Sequence, residues 1–131
     1  MQQLPVLSAF VEQHATQKHF PETPENLYDP LRYFLSIGGK RMRPILTLMA
    51  AQAFDISKEE SIHAGLAIEF FHNFSLIHDD IMDAAPFRRG MQTVHEKWNS
   101  NIAILSGDVL LVEAYQQLLA YPDHRLAPLL L

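Results

Sequence analysis

Apolar residues recur along the chain at helical spacing, and the pattern predicts helices with no convincing strand among them. Residues 3–18 have helical composition and are broken by FPETPEN with its two prolines. Asp29 followed by Pro30 reads as an N-cap with proline at the first helical position, and LRYFLSI runs from there to a stop at Gly38 and Gly39. The next helix starts in KRMRP, with Pro44 in its first turn, and continues through ILTLMAAQAF. Ser57 and Glu60 form a capping box for a long helix at about 58–83, and Thr93 with Glu96 repeats that signature for a short one. A last helix is expected at about 101–120, before Pro122. The expected class is all-α, in one domain over 1–131, with no internal repeat, low-complexity tract or linker.

The long helix differs from its neighbours because Ile62, Leu66, Ile68, Phe70, Phe71, Phe74, Leu76, Ile77, Ile81 and Met82 surround its axis instead of lining one stripe. A helix apolar all round is expected to be buried and central. It ends in HDDIMD, which places Asp79, Asp80 and Asp83 where the helix dipole is already negative. Asp79 and Asp83 fall on nearly the same face, about 6 Å apart along the axis, with Asp80 adjacent, so the carboxylates can converge. One explanation is an acidic turn leaving the core for solvent, which costs little. The other is a hard divalent cation, with Mg²⁺ the expected one, which takes oxygen ligands and binds one or two carboxylates together with substrate phosphates.

Basic groups nearby favour the second. Arg88, Arg89 and Gly90 follow closely, and paired guanidinium groups suit bidentate capture of phosphate oxygens. Upstream, GGKRMRP sets Lys40, Arg41 and Arg43 on a turn whose two glycines let a ligand approach the backbone. Together the set describes two polyphosphate sites, one reached through metal and one held directly by cations. Overall charge is unhelpful to other anionic partners: 10 Lys and Arg against 15 Asp and Glu give −5, so no broad positive surface awaits nucleic acid or anionic lipid. With no Cys, disulfides, zinc thiolates and cysteine nucleophiles are excluded together. The N-terminus lacks the basic and long apolar regions of a secretory signal, and His63 and Glu69 interrupt an apolar stretch otherwise suited to a bilayer. A soluble cytoplasmic protein without a transmembrane segment is expected.

GGKRMRP (38–44), HDDIMDAAPFRRG (78–90), TVH (93–95) and NIAILSGD (101–108) resemble the trans-type polyprenyl diphosphate synthases in order and spacing, from about residue 28 onward. The resemblance implies a helical bundle of the isoprenoid synthase type and a prenyltransferase that condenses an allylic diphosphate with isopentenyl diphosphate, releasing diphosphate. It implies that Asp79 and Asp83 coordinate Mg²⁺ bridging to the allylic diphosphate, that Asp80 supports the cluster, and that Arg88 contacts the same diphosphate. Lys40, Arg43, His72 and Arg89 would hold isopentenyl diphosphate. His72 lies seven residues before Asp79, which returns it to the same helix face. His78 reads better as a packed core histidine. Phe74 and Ser75, about one turn below the carboxylates, would floor the cavity and limit the product to the C15 to C20 class. A homodimer is expected from the family.

Members of that family are much longer and carry a second aspartate-rich motif on a facing helix. The ending RLAPLLL stops while still apolar, so the chain is expected to be the N-terminal portion of a longer enzyme, with weak or no turnover alone. Three other readings remain open. A non-catalytic homologue would use the motifs only to bind diphosphate or dimerise. An HD-type metal phosphohydrolase would pair His78 and Asp79 with His63 or His72, leaving GGKRMRP and RRG unexplained. A terpene cyclase would share the acidic cluster but not need the second basic site.

Overall fold

The structure, a computed structural model, describes residues 3–16 and 20–121. Among the described residues six helices follow one another: α1 (Gln3–Ala15), α2 (Glu25–Ser36), α3 (Met42–Ala53), α4 (Lys58–Met82), α5 (Val94–Lys97) and α6 (Ser100–Leu118). Between α4 and α5 lies a two-stranded antiparallel hairpin, β1 (Phe87–Arg88) with β2 (Met91–Gln92), that the hydrophobic pattern did not show. The strands are two residues each, too short for any period-2 signal, and the fold remains all-α. The ends of the chain at 122–131, including RLAPLLL, lie outside the described residues, as do 17 and 18 of the first expected helix.

The long helix forms almost where its cap predicted: the Ser57 hydroxyl accepts the Glu60 backbone N–H at 3.1 Å, and α4 runs from there to its C-cap at Asp83. Its most extensive packing is against α6, then α3. Small residues make both approaches close. A Cβ on Gly65 would stand 2.9 Å from the Leu48 side chain of α3, and one on Gly107 would stand 2.6 Å from the His78 ring. Phe70, Leu66 and Ile77 of α4 join Leu48, Ala103, Leu110, Leu31, Leu7 and Val11 in one core. Ser106 of α6 ties in α2 by donating to the Leu27 carbonyl at 2.9 Å. The Tyr121 hydroxyl donates to the Glu60 carbonyl and accepts the Ala64 N–H, so the residue beyond α6 pins the first turns of α4.

Three expectations need correction. Helix α2 begins at Glu25, not after Asp29, and Pro30 is buried inside it. Burying Leu31, Phe34 and Leu35 outweighs the hydrogen bond that proline removes, while Asp29 pairs with Arg32 at 2.7 Å instead of capping. Thr93 does precede α5, but its side chain caps nothing there; it donates instead to the Ala85 carbonyl at 2.7 Å. Helix α4 is not buried all round: Ile62, Leu66, Phe70 and Ile77 are fully buried, Ile68, Phe71, Phe74, Leu76 and Ile81 are partly so, and Met82 is 73% exposed.

Candidate functional site

Two structural devices bring the basic segments to α4. The first is the turn at Gly38 and Gly39, which adopt φ of 84° and 153°, values suited to glycine. Arg41 follows with φ 51°, in the left-handed region, and acts as the backbone N-cap of α3. The second is the hairpin, whose two turn residues, Arg89 and Gly90, have φ 51° and 76°. Positive φ at both positions is the type I′ signature that matches strand twist, so the Arg-Gly pair folds the RRG tract back on itself. Tyr33 of α2 donates its hydroxyl to the Gln92 carbonyl at 2.7 Å and Thr93 grips Ala85, fixing the hairpin between α2 and the end of α4.

The result is a cavity of about 480 Å³ whose wall includes Gly39, Lys40, Arg43, His72, Asn73 and Arg89. Residues from three separate parts of the chain thus meet, and Lys40, Arg43, His72 and Arg89 are among them. The Arg89 guanidinium donates to the Gly38 carbonyl and lies where a Cβ on Gly39 would be. Arg43 Nη1 is 3.1 Å from His72 Nε2. Since arginine can only donate, Nε2 accepts and the ring proton sits on Nδ1, leaving His72 a neutral donor. Burial lowers its pKa below the ordinary histidine value, and Arg43, Arg88 and Arg89 reinforce this against the opposing Glu69.

Arg41, expected as a third cation of this turn, points inward instead. It is buried, donating to Leu35 O at 2.7 Å, to Glu69 Oε2 at 3.3 Å and to Glu12 Oε2 at 3.2 Å. Glu69, Glu12 and Asn73, which donates to the Glu69 carbonyl at 2.7 Å, are the residues that motif reasoning passed over. A signal existed: an ionised carboxylate inside an apolar helix requires a partner.

At the end of α4 the three aspartates have different surroundings. Asp80 is buried and takes Arg88 in a bidentate fork, Nε to Oδ2 and Nη2 to Oδ1, both at 2.8 Å. That hydrogen bonding, with the Asp79 and Asp83 charges behind it, raises the Arg88 pKa and keeps it cationic. Asp79 and Asp83 are exposed, and neither side chain takes a hydrogen bond or ion pair among the described residues. Among those residues no group of three or more His, Cys, Asp or Glu side chains forms a metal-binding set. Two free carboxylates one helical turn apart are nonetheless a suitable oxygen donor set for a hard cation whose remaining ligands are water and phosphate.

Phe74 is half-buried, edge-on to Phe71 at 5.7 Å and to His78 at 4.8 Å between centroids, and Ser75 donates back to the His72 carbonyl at 2.6 Å. His78 turns to α6, its Nε2 3.1 Å from the Ile104 carbonyl and 3.6 Å from Asp108. His63 pairs with Gln117 at 2.8 Å and His72 with Arg43, so the histidines that a phosphohydrolase would need are not brought to Asp79. No helix among the described residues is long and apolar enough to cross a membrane.

Residues 24–130 match the sequence profile of a family described as polyprenyl synthetase. A geranylgeranyl pyrophosphate synthase of Geoglobus acetivorans is 48% identical over 95 residues, covering 72% of this chain and 30% of the relative. A farnesyl diphosphate synthase of Micrococcus luteus is 41% identical over 95 residues, covering 71% and 33%. A crystal structure of a geranylgeranyl pyrophosphate synthase superposes with a TM-score of 0.91 at 43% identity, over 98% of this chain and 39% of that one. The chain thus spans about a third of the length of the curated relatives it matches.

Proposed function

The chain belongs to the polyprenyl synthetase family, and from that membership and the geometry of its two charged regions we propose that it binds an allylic diphosphate and isopentenyl diphosphate for condensation to a longer prenyl diphosphate. The observation that carries this is the gathering of Lys40, Arg43, His72 and Arg89 around one cavity, with His72 about 10 Å along α4 from the exposed Asp79 and about 16 Å from the exposed Asp83.

In this reading the cavity holds the diphosphate of isopentenyl diphosphate. Lys40, Arg43 and Arg89 supply charge, and His72 adds a neutral N–H donor whose orientation Arg43 sets. Asp79 and Asp83 would hold Mg²⁺, which when bound supplies Lewis-acid neutralisation of the allylic diphosphate. Asp80 keeps the Arg88 fork in place, with Nη1 the nitrogen that the carboxylate leaves for the same diphosphate. The allylic carbon–oxygen bond breaks with its electron pair leaving on diphosphate; the double bond of isopentenyl diphosphate supplies the pair for the new carbon–carbon bond; and a proton passes to the released diphosphate. A cationic allyl group must be kept from water, and the apolar side of α4 around Phe71, Phe74 and Ile81 is the surface that would do so. Phe74, with Ser75 beside it, would floor that surface and hold the product to the C15 to C20 class. A cytoplasmic setting and pairing with a second copy of the chain complete the proposal; sedimentation at twice the chain mass is the expected result for the latter.

The test combines geranyl diphosphate, labelled isopentenyl diphosphate and Mg²⁺. The chain is expected to retain the allylic diphosphate only with Mg²⁺ present, and Asp79→Ala or Asp83→Ala to weaken retention by about a hundredfold. A labelled elongation product extends the assignment from binding to catalysis, and its length in Phe74→Ala, expected to increase, reports on the floor. Retention without elongation assigns a binding role alone. Retention of neither diphosphate, or hydrolysis with no carbon–carbon bond formed, overturns the reading.

A further inference from the structure

The cavity contains a charge that opposes its proposed ligand. Glu69 and Arg41 both line it, yet only 5% of the Glu69 side chain is exposed, and its Oε2 faces the Arg41 guanidinium at 3.3 Å. Arg41 is equally sequestered, at 3% exposure, with its three donating nitrogens divided among Glu69, the Leu35 carbonyl and Glu12. Apolar side chains of similar volume avoid the desolvation that two buried ions suffer, so core stability alone gives no reason for an ion pair at this wall. Location does give one. Arg41 sits between Lys40 and Arg43, which are both exposed, and its left-handed backbone turns its own side chain down while theirs stay outside.

We propose that Arg41 is a positioning residue for the cavity: pinned to α1, α2 and α4, it masks the Glu69 carboxylate and sets the turn that presents Lys40 and Arg43 to a bound diphosphate. This rests on the reading of the cavity as a diphosphate site. Glu12 comes from α1, which precedes the residues matched by the family profile, so part of the support is contributed from outside that match. The groups facing His72 are Arg43 from α3, Glu69 from its own helix, and Arg88 and Arg89 from the hairpin, which makes its ring a reporter of the Arg41–Glu69 balance.

Inorganic pyrophosphate binding is measured by calorimetry at pH 8 without metal, and the His72 titration is followed by NMR in the absence of ligand. Arg41→Gln keeps a donor for the Leu35 carbonyl but unmasks Glu69; it is expected to weaken pyrophosphate binding about tenfold and to move the His72 pKa upward. Glu69→Gln removes the opposing charge and is expected to tighten binding about twofold and to move the His72 pKa downward. The double variant should return close to the parent on both measurements. A strut with no electrostatic part would weaken binding in both single variants, and direct contact of Arg41 with the ligand would leave the double variant as weak as Arg41→Gln; either result overturns the proposal, as does an unchanged His72 titration. A parent chain that does not bind pyrophosphate refutes the diphosphate reading of the cavity, while opposite His72 shifts in the two single variants would still establish the masking of Glu69 by Arg41.

Discussion

Asp79, Asp80 and Asp83 are chemically identical side chains whose surroundings separate them. Asp80 is 4% exposed and locked to Arg88, while its neighbours face solvent. Asp80→Ala therefore leaves a partly buried guanidinium without its acceptor and is expected to cost about 2–4 kcal/mol in urea unfolding, whereas Asp79→Ala should change stability by under about 0.5 kcal/mol. Equal losses for the two would contradict the separation. His72 makes a second test. Its folded pKa lies below the ordinary value, so well above about pH 6.5 it is neutral folded or unfolded and contributes no slope. As pH falls below that, the unfolded chain takes the proton first and stability declines until the folded pKa is passed. His72→Gln should lose less stability than the parent between pH 7.5 and 5.5; an identical loss refutes the shift. Residue types suggested Lys40, Arg43 and Arg89, the family resemblance added His72, and the fold gathers all four around one cavity. They did not reveal that Arg41, although it too lines the cavity, commits its guanidinium to Glu69, Glu12 and the Leu35 carbonyl, because its direction depends on a single left-handed backbone angle and on Glu69, far along the chain.

Caps and contacts between elements follow the same division. Ser57 caps α4 because its partner is three residues away, a distance that local sequence controls. Thr93 carries the identical signature and is diverted to Ala85, since the hairpin offers its carbonyl and Thr93 is fully buried there. Thr93→Val, which removes that donor, is expected to cost about 1–3 kcal/mol and to raise amide exchange in β1 and β2 more than in α5. Unchanged exchange in the hairpin would return Thr93 to a role as a simple cap. Where α4 meets α6, Gly107→Ala would press on the His78 ring and displace it from Ile104; a loss of about 1–3 kcal/mol with altered His78 resonances is expected.

One apolar core joins all the long helices, so its largest fully buried side chains should act on the chain as a unit. Leu110, fully buried on α6, is expected to cost about 2–5 kcal/mol when changed to Ala, with every probe of unfolding shifting together. What the linear order of residues settled is the helical class, the position of α4, the types of charged group, and the expectation of two anion-binding regions. These follow from periodicity, a local cap and side-chain chemistry, all of which act within a few residues. Tertiary structure decided which charges face a ligand. Arg41 and Asp80 went inward to partners, and Lys40, Arg43, Arg89, Asp79 and Asp83 stayed outside, because the cost of burying an ion depends on what the rest of the fold places beside it.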